Sequence, residues 1–352
     1  MIKIYSAISI ILFVIIILFF IFYKSKKDNY VQFLPPFTSS EAIFYKKMII
    51  TPLVAVKAEY KQYSNDKIKL PEIFIYNPLY LSPVRKQGRC GACWAFVITS
   101  MLSDDVTIRI GNFGKSLDAQ QLLSCYNNGD LGCGGASPED VLKWMEKVNF
   151  KLRISDEYYG KRTKCIQTES GISVAKGSIK SLCEYIEDES LHDTDNRYDK
   201  ILQKNITNMK TSIASSGTIF ATISVYSDFI VFKGNSVYIK KSDKFIGGHS
   251  VQIIGWCDKG IDKRIGFTDG YWVCKNSWGT GWSKFYDFPG YFAIKMGSNE
   301  CGIESRTGNA NPNVNYFLGP GIIDKKLVCT TYKRLLEYIY FSKKINVYNR
   351  FH

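Results

Sequence analysis

From Ile4 to Tyr23 the chain runs through twenty residues without a charge. At about 1.5 Å per helical residue such a run reaches about 30 Å, the hydrocarbon thickness of a bilayer. The segment that follows, Phe20-Ile-Phe-Tyr-Lys-Ser-Lys-Lys27, offers no small-x-small cleavage pair, so an uncleaved single-pass anchor over residues 1–23 is expected rather than a signal peptide. Residues 24–69 are rich in Lys, Tyr and Ser and hold no sustained period; Pro35-Pro36 breaks any helix there. They read as a stem or short propeptide.

The compact domain is expected over residues 70–311, in two halves. Up to about residue 200 apolar positions recur at helical spacing, as in Trp94-Ala-Phe-Val-Ile-Thr-Ser-Met-Leu102, Gln120-Gln-Leu-Leu-Ser-Cys125 and Glu139-Asp-Val-Leu-Lys-Trp-Met145. Beyond Gly217 the runs are β-rich: Thr218-Ile-Phe-Ala-Thr-Ile-Ser-Val225, His249-Ser-Val-Gln-Ile-Ile-Gly-Trp256 and Gly270-Tyr-Trp-Val-Cys-Lys275. The class is α+β, a helical lobe and a sheet lobe with a cleft between them. No internal repeat is visible. Residues 312–352 form a basic C-terminal extension with a short helix expected over 332–345.

Composition narrows the picture. With 352 residues and 45% hydrophobic content the chain can bury a large core. The formal charge of +14 points first to an acidic partner. The lysines are scattered, however, acidic stretches such as 184–189 interrupt them, and no nucleic-acid motif occurs; nucleic acid is not an expected partner. Ten cysteines clustered near short Gly-rich segments favour disulfides made in an oxidising compartment, with buried free thiols as the alternative. Lys24, Lys26 and Lys27 outnumber Lys3 with the amino terminus, which by positive-inside reasoning would hold the domain in the cytosol. The cysteines argue for the luminal or external side, and that placement is expected. Asn205-Ile206-Thr207 is then a glycosylation sequon.

The strongest chemical signal is Gln87-Gly-Arg-Cys-Gly-Ala-Cys-Trp-Ala-Phe96. Cys93 stands where a loop gives way to the first apolar helix, and unpaired N–H groups at a helix N-terminus stabilise a thiolate. A redox or zinc Cys-x-x-Cys pair is the alternative reading, but zinc needs a second pair of ligands and the chain has only three histidines. No metal or other cofactor is expected. Of those three, His352 is terminal and His192 lies in a polar stretch, whereas His249 opens a β run directly after Gly247-Gly248. It is the candidate base for Cys93. Asn276, within Lys275-Asn-Ser-Trp-Gly279, can hold the imidazole tautomer through its carbonyl oxygen, with Trp278 shielding that bond. Gln87 supplies a side-chain N–H that can join the Cys93 backbone N–H as an oxyanion hole.

Together these blocks resemble the papain family of cysteine proteases, and its cathepsin B branch in particular, over roughly residues 70–308. The nucleophile segment is similar to the family's Q-G-x-C-G-S-C-W-A-F, with Ala92 where serine is commoner. Ser224 to Phe229, Gly247-Gly-His, Ile254-Gly-Trp256, Asn276-Ser-Trp278 and Cys301-Gly-Ile-Glu-Ser305 follow in the same order and spacing. The resemblance implies a helical lobe and a β-barrel-like lobe, hydrolysis of peptide bonds in peptide or protein substrates through an acyl-enzyme, and the disulfides Cys90–Cys133 and Cys125–Cys165. Cys257 and Cys274 either bridge or stay buried thiols. Three departures matter. Gly134, Gly135 and Ala136 stand where the family's Gly-rich segment pairs with substrate backbone. No His-His pair exists for a carboxydipeptidase loop, so an endopeptidase is expected. Arg306 replaces the glutamate at the base of the pocket for the second residue upstream of the cleaved bond. A catalytically silent scaffold and a transamidase or ligase on the same site are the alternatives, and oligomeric state has no signature in the sequence.

Overall fold

Helix α1 (Cys93–Ile110) is buried on every side from Trp94 through residue 107. Trp94, Phe96, Ile98, Met101, Leu102 and Val106 all face protein, as expected of a helix without a polar stripe. Its interior polar residues bond back to the preceding turn: Thr99 Oγ1 donates to Ala95 O at 2.8 Å, Ser103 Oγ to Thr99 O at 2.5 Å and Thr107 Oγ1 to Ser103 O at 3.2 Å. A computed structural model of the protein describes residues 70–110, 115–127, 133–186, 197–264 and 266–313. The apolar run 4–23, the segment 24–69, His192, His352 and nearly all of the C-terminal extension lie outside the described residues. Among the described residues no helix is long and apolar enough to cross a membrane.

Around α1 the helical lobe packs α2 (Ala119–Cys125) and α3 (Pro138–Lys147) through Leu122, Leu123, Val141, Leu142 and Met145. Each helix starts where its capping chemistry dictates. Asp118 accepts the Gln121 N–H at 2.8 Å, and Ser137 caps α3 ahead of Pro138. The described residues 148–186 that follow α3 contain no regular helix and are tied back by the isolated bridges Leu117–Ile154 and Leu152–Ile172 and by the disulfide Cys125–Cys165.

A long helix, α4 (Arg197–Ser216), leads into the sheet lobe. The sequence reading of 187–200 as loop-like and of a helical half ending near 200 missed it. Its buried residues Leu202, Ile206, Met209 and Ile213 are spaced four, three and four apart, a stripe obscured by the polar residues between them. The main sheet contains β1 (Ile73–Ile75), β3 (Lys180–Ser181), β4 (Ile219–Tyr226), β5 (Val237–Tyr238), β6 (Phe245–Cys257), β7 (Tyr271–Lys275), β10 (Tyr291–Lys295) and β11 (Thr307–Asn309), while β2 (Ser173–Val174) pairs with β12 (Pro312–Asn313) and β8 (Lys284–Phe285) with β9 (Phe288–Pro289) outside it. Its order is β3-β11-β4-β6-β7-β10-β5, with β1 also on β6; only the β10–β5 pair is parallel. That hydrogen-bonded order does not close, so the barrel-like lobe is an open sheet. Gly255 is obligatory where β1 joins, because a Cβ there would lie 2.2 Å from Phe74 O.

Two further expectations are corrected or resolved here. Asn205 lies fully buried on α4; its Nδ2 donates to Glu184 O at 2.9 Å and Glu304 O at 2.8 Å, and its Oδ1 accepts the Glu184 N–H. With both amide hydrogens committed inside the protein, the folded domain presents no glycan acceptor at the sequon. Cys257 and Cys274 are buried free thiols. The β6–β7 register pairs Cys257 with Tyr271 and Cys274 with Ile253, so the two never face each other.

The helical and sheet lobes are joined by a buried ion pair. Lys275 Nζ, at the end of β7, lies 2.9 Å from Asp104 Oδ2 on α1 and donates to Ser82 Oγ at 2.9 Å. Asp104 also accepts the Ser82 N–H at 2.6 Å and Gln252 Nε2 at 2.8 Å. Burial lowers the Lys275 pKa from its ordinary value, opposed by Asp104. Removing one partner strands the other charge away from water. Lys275→Met should therefore cost about 3–5 kcal/mol of stability in urea unfolding, and adding Asp104→Leu to that variant should recover a large part of the loss.

Candidate active site

The turn before α1 is held from two sides. Cys90 is bonded to Cys133, and the Gly91 N–H donates to Cys133 O at 3.0 Å. A Cβ on Gly91 would sit 2.4 Å from that same oxygen, so only glycine fits. Cys93 follows as the first residue of α1, with its thiol half-buried and free. The two disulfides of the described residues, Cys90–Cys133 and Cys125–Cys165, are the pairs that the family resemblance implies.

His249 sits on β6 opposite Ile223 of β4 and is 4% exposed. Its Nε2 lies 2.8 Å from Asn276 Oδ1, immediately beyond β7. The same Oδ1 accepts the backbone N–H of Ser277 at 2.7 Å. A backbone N–H can only donate, so that amide atom is the oxygen, and His249 Nε2 must carry the hydrogen. Nδ1 is left with its lone pair as the basic nitrogen. Trp278 lies against the imidazole, ring centroids 4.6 Å apart, and is itself packed against Phe229 and Trp282. This aromatic wall keeps water from the His249–Asn276 bond.

Gln87 is 7% exposed and fixed at both ends of its amide. Ser277 Oγ donates to its Oε1 at 2.6 Å, and its Nε2 donates to Cys90 O at 3.0 Å, leaving a second N–H. Its backbone N–H donates to Ser277 O at 2.8 Å. Ser277 is thus a site residue that the sequence reading did not single out, as is Ser250, which acts against the upward shift of the Cys93 thiol. Both are sequence neighbours of residues that were named, and adjacency to Asn276 and His249 was the available signal.

Electrostatically the site differs from the helix-terminus expectation. Burial pushes the Cys93 thiol above its ordinary value, opposed by hydrogen bonds from Ser250, from the Trp94 backbone and from its own backbone. Burial likewise brings His249 down to about 4, opposed by the bond to Asn276. Each group alone therefore favours its neutral form, and desolvation outweighs the helix terminus that was expected to depress the thiol.

The segment after Cys133 packs beside the turn before α1, where a Cβ on Gly91 would also lie 3.5 Å from Gly135 N. Gly134 is exposed, Gly135 adopts φ +101°, and Ala136 is half-buried against the helical core, all between Cys133 and α3. Arg306 is exposed at the start of β11; its guanidinium carbon stands 5.4 Å from the centroid of the Tyr185 ring and its Nη2 is 3.3 Å from that hydroxyl. Among the described residues no group of three or more His, Cys, Asp or Glu side chains could hold a metal ion.

The family model of papain family cysteine proteases matches residues 75–310. The gut-specific cysteine proteinase of Caenorhabditis elegans is 30% identical over 231 residues, covering 63% of this chain and 66% of that protein. Cathepsin B-like cysteine proteinase 4 of the same organism is 29% identical over 259 residues, 68% of this chain and 72% of its own length. The cathepsin B-like cysteine proteinase of Schistosoma japonicum is 30% identical over 245 residues, 64% and 67% respectively. The chain thus spans about two thirds of the length of these relatives. Procathepsin B S9 from Trypanosoma congolense shares the fold, with a TM-score of 0.55 at 21% identity over 72% of this chain and 82% of that one. The family match covers the nucleophile turn, the β6 histidine and the asparagine beyond β7 as one continuous domain, and the chain belongs to the papain family of cysteine proteases.

Proposed function

We propose that the chain is a cysteine endopeptidase with Cys93 as nucleophile and His249 as general base and acid. The observation that carries this reading is the paired acceptance at Asn276 Oδ1, from His249 Nε2–H and Ser277 N–H, which leaves His249 Nδ1 as the proton acceptor. Proton transfer from the Cys93 sulfur to Nδ1 creates two opposite charges at once, each offsetting the burial cost of the other, so the pair ionises as a unit although each member alone resists. The thiolate sulfur then bonds to the substrate carbonyl carbon. The carbonyl oxygen takes up negative charge and receives the spare Gln87 Nε2–H and the Cys93 N–H. Collapse expels the amine, which takes the proton from His249, and water activated by the same nitrogen releases the acid. The chain's three histidines are all isolated in sequence, which favours internal cleavage over a carboxydipeptidase.

Turnover of a peptide library with product sequencing tests the reading. Internal cleavage products that vanish in Cys93→Ala support it; terminal dipeptides, ligated products or inertness of the wild type would each overturn it.

Gln87→Ala should lower kcat by about two to three orders of magnitude with KM nearly unchanged, the signature of a lost oxyanion donor; steady-state kinetics on one peptide reads the split. At the residue two upstream of the cleaved bond, the guanidinium of Arg306 favours acidic or hydrophobic side chains over arginine. Arg306→Glu should shift that preference toward basic residues in the library, and an unchanged preference would put Arg306 outside the pocket.

A further inference from the structure

Beside Asn276 lies a small cavity of about 10 Å³ whose lining includes Val97, Ser100, Ser250, Gln252, Lys275 and Asn276. Two buried polar atoms of lining residues have no protein partner: Asn276 Nδ2, a donor, and Gln252 Oε1, an acceptor. Both identities follow from their other bonds. Asn276 Oδ1 is fixed as oxygen by the Ser277 N–H. Gln252 Nε2 is fixed as nitrogen because it contacts Asp104 Oδ2, a carboxylate that only accepts, at 2.8 Å, as well as Thr218 Oγ1 at 2.9 Å. The two residues are 3% and 1% exposed, so bulk water does not serve either atom.

A donor and an acceptor on residues lining a cavity this small fit one molecule that accepts from the first and donates to the second, which is a water. We propose that Gln252 is a positioning residue for the peptidase site, holding the Asn276 amide through a single enclosed water and anchoring that water to the Asp104–Lys275 pair. The inference rests on the peptidase reading for its consequence but not for the bridge itself. Without the bridge, the Asn276 amide has a hydrogen-bond incentive to turn Nδ2 toward other acceptors, and every turned amide removes the acceptor from His249 Nε2–H. That acceptor favours the imidazolium. The charged and titratable groups around this amide are Cys93, Asp104 and Arg85 on the helical side and Lys275 and His249 on the sheet side. The proposed bridge leaves their covalent identity untouched and acts on the amide alone.

The test uses the full chain and follows alkylation of Cys93 by iodoacetate, mapped to its peptide across pH. A carboxylate reagent reacts fastest with a thiolate that has an imidazolium beside it, so the alkaline limb of the profile marks loss of the imidazolium proton. Two variants are compared: Gln252→Met, which removes the acceptor and the Asp104 contact, and Val97→Ile, which fills the cavity and keeps Gln252 on Asp104. Both should move the alkaline limb to lower pH by about half a unit, while alkylation by neutral iodoacetamide at high pH is unchanged. A limb that stays in place in both variants, or that moves only in Gln252→Met, overturns the bridge, the second result assigning the effect to Asp104. Should Gln252→Met fail to fold, Val97→Ile and a high-resolution crystal structure decide: an ordered water within hydrogen-bond reach of Asn276 Nδ2 and Gln252 Oε1 supports the proposal, and a dry cavity or a direct amide contact overturns it. A wild type with no alkaline limb would defeat the peptidase reading, and the crystallographic water would still decide the bridge.

Discussion

The buried Asp104–Lys275 pair sets the relation between the two halves of the site. Asp104 belongs to the helix that begins with Cys93, the proposed nucleophile, and Lys275 ends the strand that precedes Asn276. Because neither charge reaches solvent, the pair can form only when α1 lies across the ends of β6 and β7 in one register. The N–H of Ser82 and the Gln252 amide complete the coordination of Asp104, which is what a buried carboxylate requires to be tolerated at all. An apolar contact of the same area would hold the lobes together without fixing their register so narrowly.

Given that register, the catalytic groups need few additional devices. Ser277 links the two lobes a second time by donating to Gln87 from its hydroxyl and accepting the Gln87 N–H at its carbonyl. Its own N–H fixes the Asn276 oxygen. One residue thereby orients both the Gln87 amide and the His249 tautomer. The disulfide at Cys90 and the close approach of Gly91 to Cys133 hold the turn that aims the thiol. Burial then does two things at once: it resists the isolated thiolate and the isolated imidazolium, and it strengthens their mutual attraction. The ion pair of the proposed mechanism would therefore be a property of the assembled site rather than of the helix terminus.

The sequence by itself named the candidates. Cys93 and His249 stood out because each sits at a change of pattern, a loop giving way to a helix or a glycine pair opening a strand, and Asn276 and Gln87 joined them through blocks whose order resembles one family. The mostly helical and mostly β halves were legible from period alone. Helix α4 was not, since its four buried apolar positions are diluted by polar residues and its first turn follows an acidic run of sequence. The sequon at Asn205 carried the right letters, but only packing could show that its amide is spent on Glu184 and Glu304.

What the tertiary structure alone decided is the wiring among the named residues. Ser277, Ser250, Gln252 and Asp104 carry no sequence signal of their own, because a hydroxyl, an amide or a carboxylate acquires meaning only from what long-range folding brings to it. Gln252 and Asp104 are 148 positions apart, and their bond exists only because β6 crosses α1. The direction of the thiol's shift was likewise beyond the sequence. A helix N-terminus is readable in the residue pattern, whereas the burial that outweighs it depends on both lobes closing around Cys93.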